Sequence, residues 1–178
     1  MELTIEHLAA YLPYVLKCLD LKAEPDSNIF TLESVSIYRV VSDSEGNFDI
    51  GFEEIKPILR SLSDLTKEIE HNGEKFVPMI ELLKIEMDLH FKNCSDFNIE
   101  YNVMFSWVKY NFNFEQYALF YDNSFISFKG ANYNNGSILG YYPTLNQYSL
   151  IQKLLSWHFD IYRLIETGLA INYNEINK

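Results

Sequence analysis

"FNIEYNVMFSWVKYNFNFEQYALFYDNSFISFK", residues 97–129, is the stretch whose texture decides the fold class. Phe, Tyr, Val and Ile recur in partial alternation with polar residues, the pattern of strands that send successive side chains to opposite sides. Asp122, Asn123 and Ser124 interrupt it as turn formers do, and the stretch predicts roughly three antiparallel strands. Downstream, "GANYNNGSILGYYPT" (130–144) carries three glycines and a proline. It is expected to form a loop, and loops of that length are uncommon and often functional. Tyr133, Tyr141 and Tyr142 within it are candidate contact residues, because Tyr contributes disproportionately to interfaces and can stack on a nucleobase. The alternative is that they pack over the sheet edge.

The next segment predicts a long helix over 144–167. Thr144 can cap it, and Tyr148, Ile151, Leu154, Leu155, His158, Tyr162 and Ile165 form a helical stripe that Gly168 stops. Asp160 offers a bend, as the cap of a separate second helix. "LAINYN" (169–174) then suits a short edge strand.

Upstream, "IKPILRSLSDLTKEIEHNGEKFVP" (55–78) is dense in local signals. Pro57 suits a first helical turn, Ser63 an N-cap, and Leu65 and Ile69 an i, i+4 apolar pair before Asn72-Gly73 ends the helix. A hairpin around Asn72-Gly73 is the competing reading; the Leu65 and Ile69 spacing favours the helix. Another helix should begin near Pro78, with Met79, Leu82 and Leu83 inward and Glu81, Lys84 and Glu86 outward. Before all this, Thr4 can cap a short helix that Pro13 ends, and "YVLKCLDLK" and "IFTLESVSIYRVVS" suit strands separated by the turn "AEPDSN". "SDSEGNFD" is a further loop. The fold class expected is α+β: one domain, 1–178, with a mainly antiparallel sheet from about 30–41 and 97–129 covered by helices near 57–89 and 144–167.

Charge is unevenly spread. Residues 1–100 hold 20 Asp and Glu against 9 Lys and Arg, whereas 101–178 hold 5 against 5, so the whole net charge of −11 lies in the first part. Direct nucleic-acid binding is disfavoured, since it draws on Lys and Arg to neutralise phosphates. A basic protein partner fits, although many proteins are acidic for solubility alone. The two cysteines, Cys18 and Cys94, are far apart and suggest neither a disulfide framework nor a zinc site. The start "MELTIEHLAAYLPYVLK" is unlike a signal peptide, and no apolar run reaches the about 18 residues of a membrane helix, so the expected location is the cytoplasm.

Chemistry-bearing motifs are sparse. His158 and Asp160 in "WHFDI" are the one close His and carboxylate pair, yet i and i+2 on a helix do not face each other, which favours a structural His158. His7, His71 and His90 show no metal spacing, and there is no phosphate-binding glycine loop or nucleophile elbow. "GSILG" matches a helix-packing motif only formally. Glu53 and Glu54 could serve acid/base work only with a partner held opposite, and a solvated surface is the simpler reading. No catalytic residue, cofactor or metal is expected.

The segments "LAAYLPYVLK", "IKPILRSLSDLTKEI", "NGEKFVP" and "WHFDIYRLIETGLAIN" resemble those of small proteins without assigned activity encoded by phages, prophages and mobile elements of Bacteroides-type bacteria. The resemblance covers about a third of the chain and leaves 97–142 outside. It departs at Ser61, where such proteins carry Pro, and at Val15 and Arg163, where they carry Gly. It implies a bacterial cytoplasm and a phage-like context, and brings no site residues.

The function expected is a non-enzymatic acidic interaction protein that binds a host or phage protein. Asp64, Glu68 and Glu70 would offer charge, and Tyr133, Tyr141 and Tyr142 aromatic contacts. The alternative is a small-ligand or nucleotide-sequestering module built on the aromatic loop, with an enzyme third.

Overall fold

The computed structural model describes residues 2–24, 28–35, 39–42, 49–87, 97–98, 106–112, 115–122, 127–134, 137–144 and 146–176. Of the turns expected over 23–28 and 42–49, residues 25–27 and 43–48 lie outside these residues. The chain is α+β, and it divides into two compact units: 1–62 with 154–178, and 63–153.

The first unit is built on a six-stranded mixed sheet. Its strands are β1 (Lys17–Asp20), β2 (Ile29–Val35), β3 (Arg39–Ser42), β4 (Asp49–Gly51), β5 (Ile55–Leu59) and, from the far end of the chain, β13 (Ile171–Asn172). They lie in the order β13-β5-β1-β2-β3-β4. All pairings are antiparallel except β13 with β5. Within 169–174, Ile171–Asn172 supply the short edge strand that the composition suggested. The α1 helix (Ile5–Ala9) follows Thr4, whose N–H donates to His7 Nδ1 at 3.1 Å, and Pro13 lies in the 3-10 turn Leu12–Tyr14. Leu8, Tyr11, Leu16, Cys18, Leu32 and Leu59 are nearly fully buried.

Residues 55–59 are a strand, not the helical turn expected from Pro57. β5 pairs Cys18 with Pro57 and Leu19 with Lys56 on one side, and its parallel partner on the other side begins only at Ile58. A proline is tolerated in a strand where no ladder donor is called for at its position, and Pro57 stands one residue before that ladder starts.

The second unit holds the hairpin β6 (Ile69–His71) and β7 (Glu74–Phe76), the helix α2 (Pro78–Met87), and a five-stranded antiparallel meander. The meander comprises β8 (Phe97–Asn98), β9 (Ser106–Phe112), β10 (Glu115–Asp122), β11 (Ser127–Asn134) and β12 (Ser137–Pro143). The strands expected near 30–41 and in 97–129 therefore form, but in two separate sheets. The helix expected over 63–72 gives way to the hairpin. Asn72 and Gly73 take φ of 53° and 82°, the left-handed pair that a two-residue hairpin connection needs, while Leu65 and Ile69 are buried without sharing a helix. α2 forms as expected, with Met79, Leu82 and Leu83 fully buried. Glu86, expected outward, is 5% exposed, and its Oε2 accepts the Asn146 N–H at 3.3 Å.

The long helix expected over 144–167 is shorter. α3 runs Gln147–Ser156, so that its last turn belongs to the first unit. Tyr148, assigned to the inward stripe, is 76% exposed. The helix stops because His158 takes φ 60°: its N–H donates to the Leu155 carbonyl at 2.9 Å, and the Phe159 N–H to the Leu154 carbonyl at 3.0 Å. This is the left-handed C-terminal closure that usually employs glycine. Ten residues on, Gly168 at φ 74° repeats it, with Gly168 N–H to Ile165 O at 3.0 Å and Leu169 N–H to Leu164 O at 2.8 Å. The short helix α4 (Tyr173–Ile176) follows β13.

Candidate interaction surface

The buried polar groups of the first unit converge on the stretch after α3. Arg60, just past β5, bridges to Phe159: its N–H donates to the His158 carbonyl at 2.8 Å and its carbonyl accepts the Asp160 N–H at 2.9 Å. The Asp160 side chain turns back on its own chain, where Oδ1 accepts Leu164 N–H and Oδ2 accepts Ile165 N–H, both at 2.8 Å. Burial pushes the Asp160 carboxyl above its ordinary range, against the opposing pull of those backbone donors. The His158 Nε2–H donates to the Tyr14 carbonyl at 2.6 Å, and the Tyr11 hydroxyl donates to the Phe159 carbonyl at 2.7 Å. His7 and Tyr11 both set their rings edge-on to Tyr162, whose own hydroxyl pKa burial raises. His158 and Asp160 are thus each engaged by a different backbone partner. Through these bonds they hold one tight turn of the fold.

Among the described residues no group of three His, Cys, Asp or Glu could hold a metal ion. The Cys18 thiol is buried and its pKa is pushed up to about 12 by that burial, far from the thiolate that nucleophilic chemistry uses.

All six residues expected to make contacts lie in the second unit. Asp64 is 5% exposed, and Lys67 Nζ donates to its Oδ1 at 2.7 Å. It is a buried acceptor at the start of the second unit and not a presented charge. Glu68 and Glu70 are exposed, and the hairpin adds an exposed Glu74 that the sequence reading left out; Lys75 stands directly across from Glu70. The tyrosines are not in a loop. Tyr133 lies on β11 and Tyr141 and Tyr142 on β12, with Ala131 opposite Tyr141 and Gly130 opposite Tyr142.

Charge distinguishes the first unit. It holds 14 Asp and Glu against 7 Lys and Arg. Of its described side chains that are exposed, seven are Glu (Glu2, Glu6, Glu24, Glu33, Glu53, Glu166 and Glu175) against Lys17, Lys22 and Arg163. Lys22 is already paired with Glu54, whose hydrogen bond holds the ammonium pKa up. The Thr4 hydroxyl bond to Oε2, at 2.6 Å, holds the Glu6 carboxyl below its usual value, so this exposed acid stays charged. No protein-family model, curated protein or solved structure matches the chain. No helix among the described residues is long and apolar enough to cross a membrane.

Proposed function

We propose that the chain is a non-enzymatic acidic interaction protein of a phage or mobile element, which binds a basic face of a host or phage protein. The observation that carries this reading is the surplus of exposed glutamates over exposed bases in the first unit; the second unit, by itself, exposes Glu68, Glu70 and Glu74 at its hairpin and just before it. A field of one sign speeds encounter with a complementary partner and rejects like-charged ones. The buried polar groups that sequence alone could assign to catalysis are engaged in holding the backbone, which is consistent with a binding role.

The test is capture on the immobilised protein from a lysate of a Bacteroides-type host, followed by kinetics with the captured species. A basic protein should bind at an on-rate that falls as salt rises. Glu68→Lys with Glu70→Lys, and separately Glu33→Lys with Glu53→Lys, should show which unit steers it. An on-rate indifferent to ionic strength and to both pairs of reversals would refute the reading.

A further inference from the structure

The segment after Ala170 is held differently from the chain before it. Upstream, the Asp160 carboxylate takes two backbone N–H groups and the Leu164 carbonyl accepts from both Leu169 and Ala170, so residues 160–170 form a tied turn in which Asp160, Ile161, Leu164 and Ala170 are buried. Beyond it, β13 meets β5 through only two residue pairs, Ile171 with Ile58 and Asn172 with Leu59, and in the parallel arrangement, which is the less stable per residue. Ile171 and Asn172 are half-buried, and Tyr173, Asn174, Glu175 and Ile176 are exposed. A cation–π contact anchors the far end: the Arg60 guanidinium stands 4.0 Å from the Tyr173 ring centroid, with Arg60 itself 5% exposed.

We propose that residues 171–176 are a releasable strap seated in a strand-addition slot on the β5 edge. The slot takes in its place an extended segment of a partner protein with the apolar, polar, aromatic order that Ile171, Asn172 and Tyr173 present. Release leaves the sheet intact, because β5 stays paired with β1 through Pro57, Lys56 and Ile55. An incoming strand gains the main-chain bonds that β13 gives up, and Arg60 sets its register, since the aromatic residue must fall one place after the residue facing Leu59. Tied ends at Gly168 and Ala170 confine the movement to the strap. The proposal stands apart from the acidic-surface reading, whose charge reversals leave β5, Arg60 and β13 unchanged.

Hydrogen exchange of the intact protein is the first test: amides of 171–173 should exchange at least ~10-fold faster than those of β1, as local opening requires. Equal protection overturns the proposal, and this measurement stands even if variants fold poorly. The second is fluorescence anisotropy with a labelled peptide LAINYNEI, the sequence of residues 169–176. Tyr173→Ala should bind it at least ~10-fold more tightly than the wild type, whose tethered strap competes at an effective concentration on the order of millimolar. A peptide with Ala in place of its Tyr should lose that binding. Equal affinity of wild type and variant, or of the two peptides, overturns the proposal.

Discussion

Val15 is the residue at which the backbone makes its sharpest demand on an ill-suited side chain. It lies between the Leu12–Tyr14 turn and β1 at φ 58° and ψ 47°, and its side chain is 65% exposed, so little packing compensates. The left-handed region costs an L-residue about 1–2 kcal/mol, and a β-branched residue is among the least suited to it. Comparing Val15→Gly with Val15→Ala isolates that cost, because the two variants differ by one methyl group. At an ordinary position alanine is favoured over glycine by about 0.5–1 kcal/mol through backbone entropy. Here relief of the left-handed penalty outweighs that entropy, and glycine should win by about 0.5–1 kcal/mol. The assay is urea unfolding followed by tryptophan fluorescence in a Trp107→Phe background, which leaves Trp157, 4% exposed in the first unit, as the remaining tryptophan. With a urea dependence of about 1–3 kcal/mol per molar, the glycine variant should unfold roughly 0.5 M later than the alanine variant. If alanine is the more stable of the two, the left-handed geometry at Val15 is wrong.

Tyr11→Phe removes the hydroxyl that donates to the Phe159 carbonyl at 2.7 Å between two fully buried residues, and should cost about 1–3 kcal/mol. Tyr148→Phe, at a 76% exposed side chain, should change stability by less than about 0.5 kcal/mol, and equal costs for the two would deny the buried bond. Asp160 makes a pH prediction. Its carboxyl pKa is raised by burial, so the folded state holds the proton more tightly than the unfolded one. Its contribution to stability is therefore greatest below the ordinary carboxylate value and falls as pH rises through the raised folded value. Asp160→Asn, which does not titrate, should remove that decline from a series of unfolding measurements between about pH 3 and 7. Parallel curves for the two proteins would mean the Leu164 and Ile165 donors balance the burial.

What could be read from the sequence was what local pattern alone decides. α2 was legible because Pro78 suits a first turn and Met79, Leu82 and Leu83 repeat at helical spacing, and all three are buried. Strands in 97–129 were legible from their aromatic and β-branched texture. What misled was one dipeptide, met twice. Asn72-Gly73 suits a helix stop, and Asn135-Gly136 a long loop. Yet His71 pairs with Glu74, so Asn72-Gly73 joins two strands; Asn135-Gly136 lies outside the described residues, between β11 and β12, whose described ends pair Asn134 with Ser137. Competing local signals hid this: Leu65 and Ile69 at helical spacing in the first case, and glycine and asparagine of low strand propensity in the second. The candidate tyrosines accordingly lie on strands where the composition suggests a loop. Asp64 moved from surface to interior, since no local pattern announces that a carboxylate will meet Lys67 within a tertiary fold.

The end of α3 shows why the rest lay beyond local reading. The stripe from Leu154 to Ile165 continues at helical spacing through His158, and no glycine or proline stands there to stop it. The stop is tertiary: His158 is drawn into the left-handed region while its carbonyl accepts the Arg60 N–H and its ring donates to Tyr14, residues distant in sequence. Val15 and Arg163 also lie at positive φ, 58° and 60°. Three side-chain-bearing residues thus take a conformation that costs each of them energy, within two short stretches that the Tyr14 and Phe159 bonds join. Such strain persists only where surrounding contacts fix the backbone, and here those contacts are the ones that hold Phe159 against Arg60 and set the chain on course to lay β13 along β5. His158 and Asp160, the pair most suggestive of chemistry in the sequence, are accounted for by that course: one ends a helix, and the other closes the turn that leads to the edge strand.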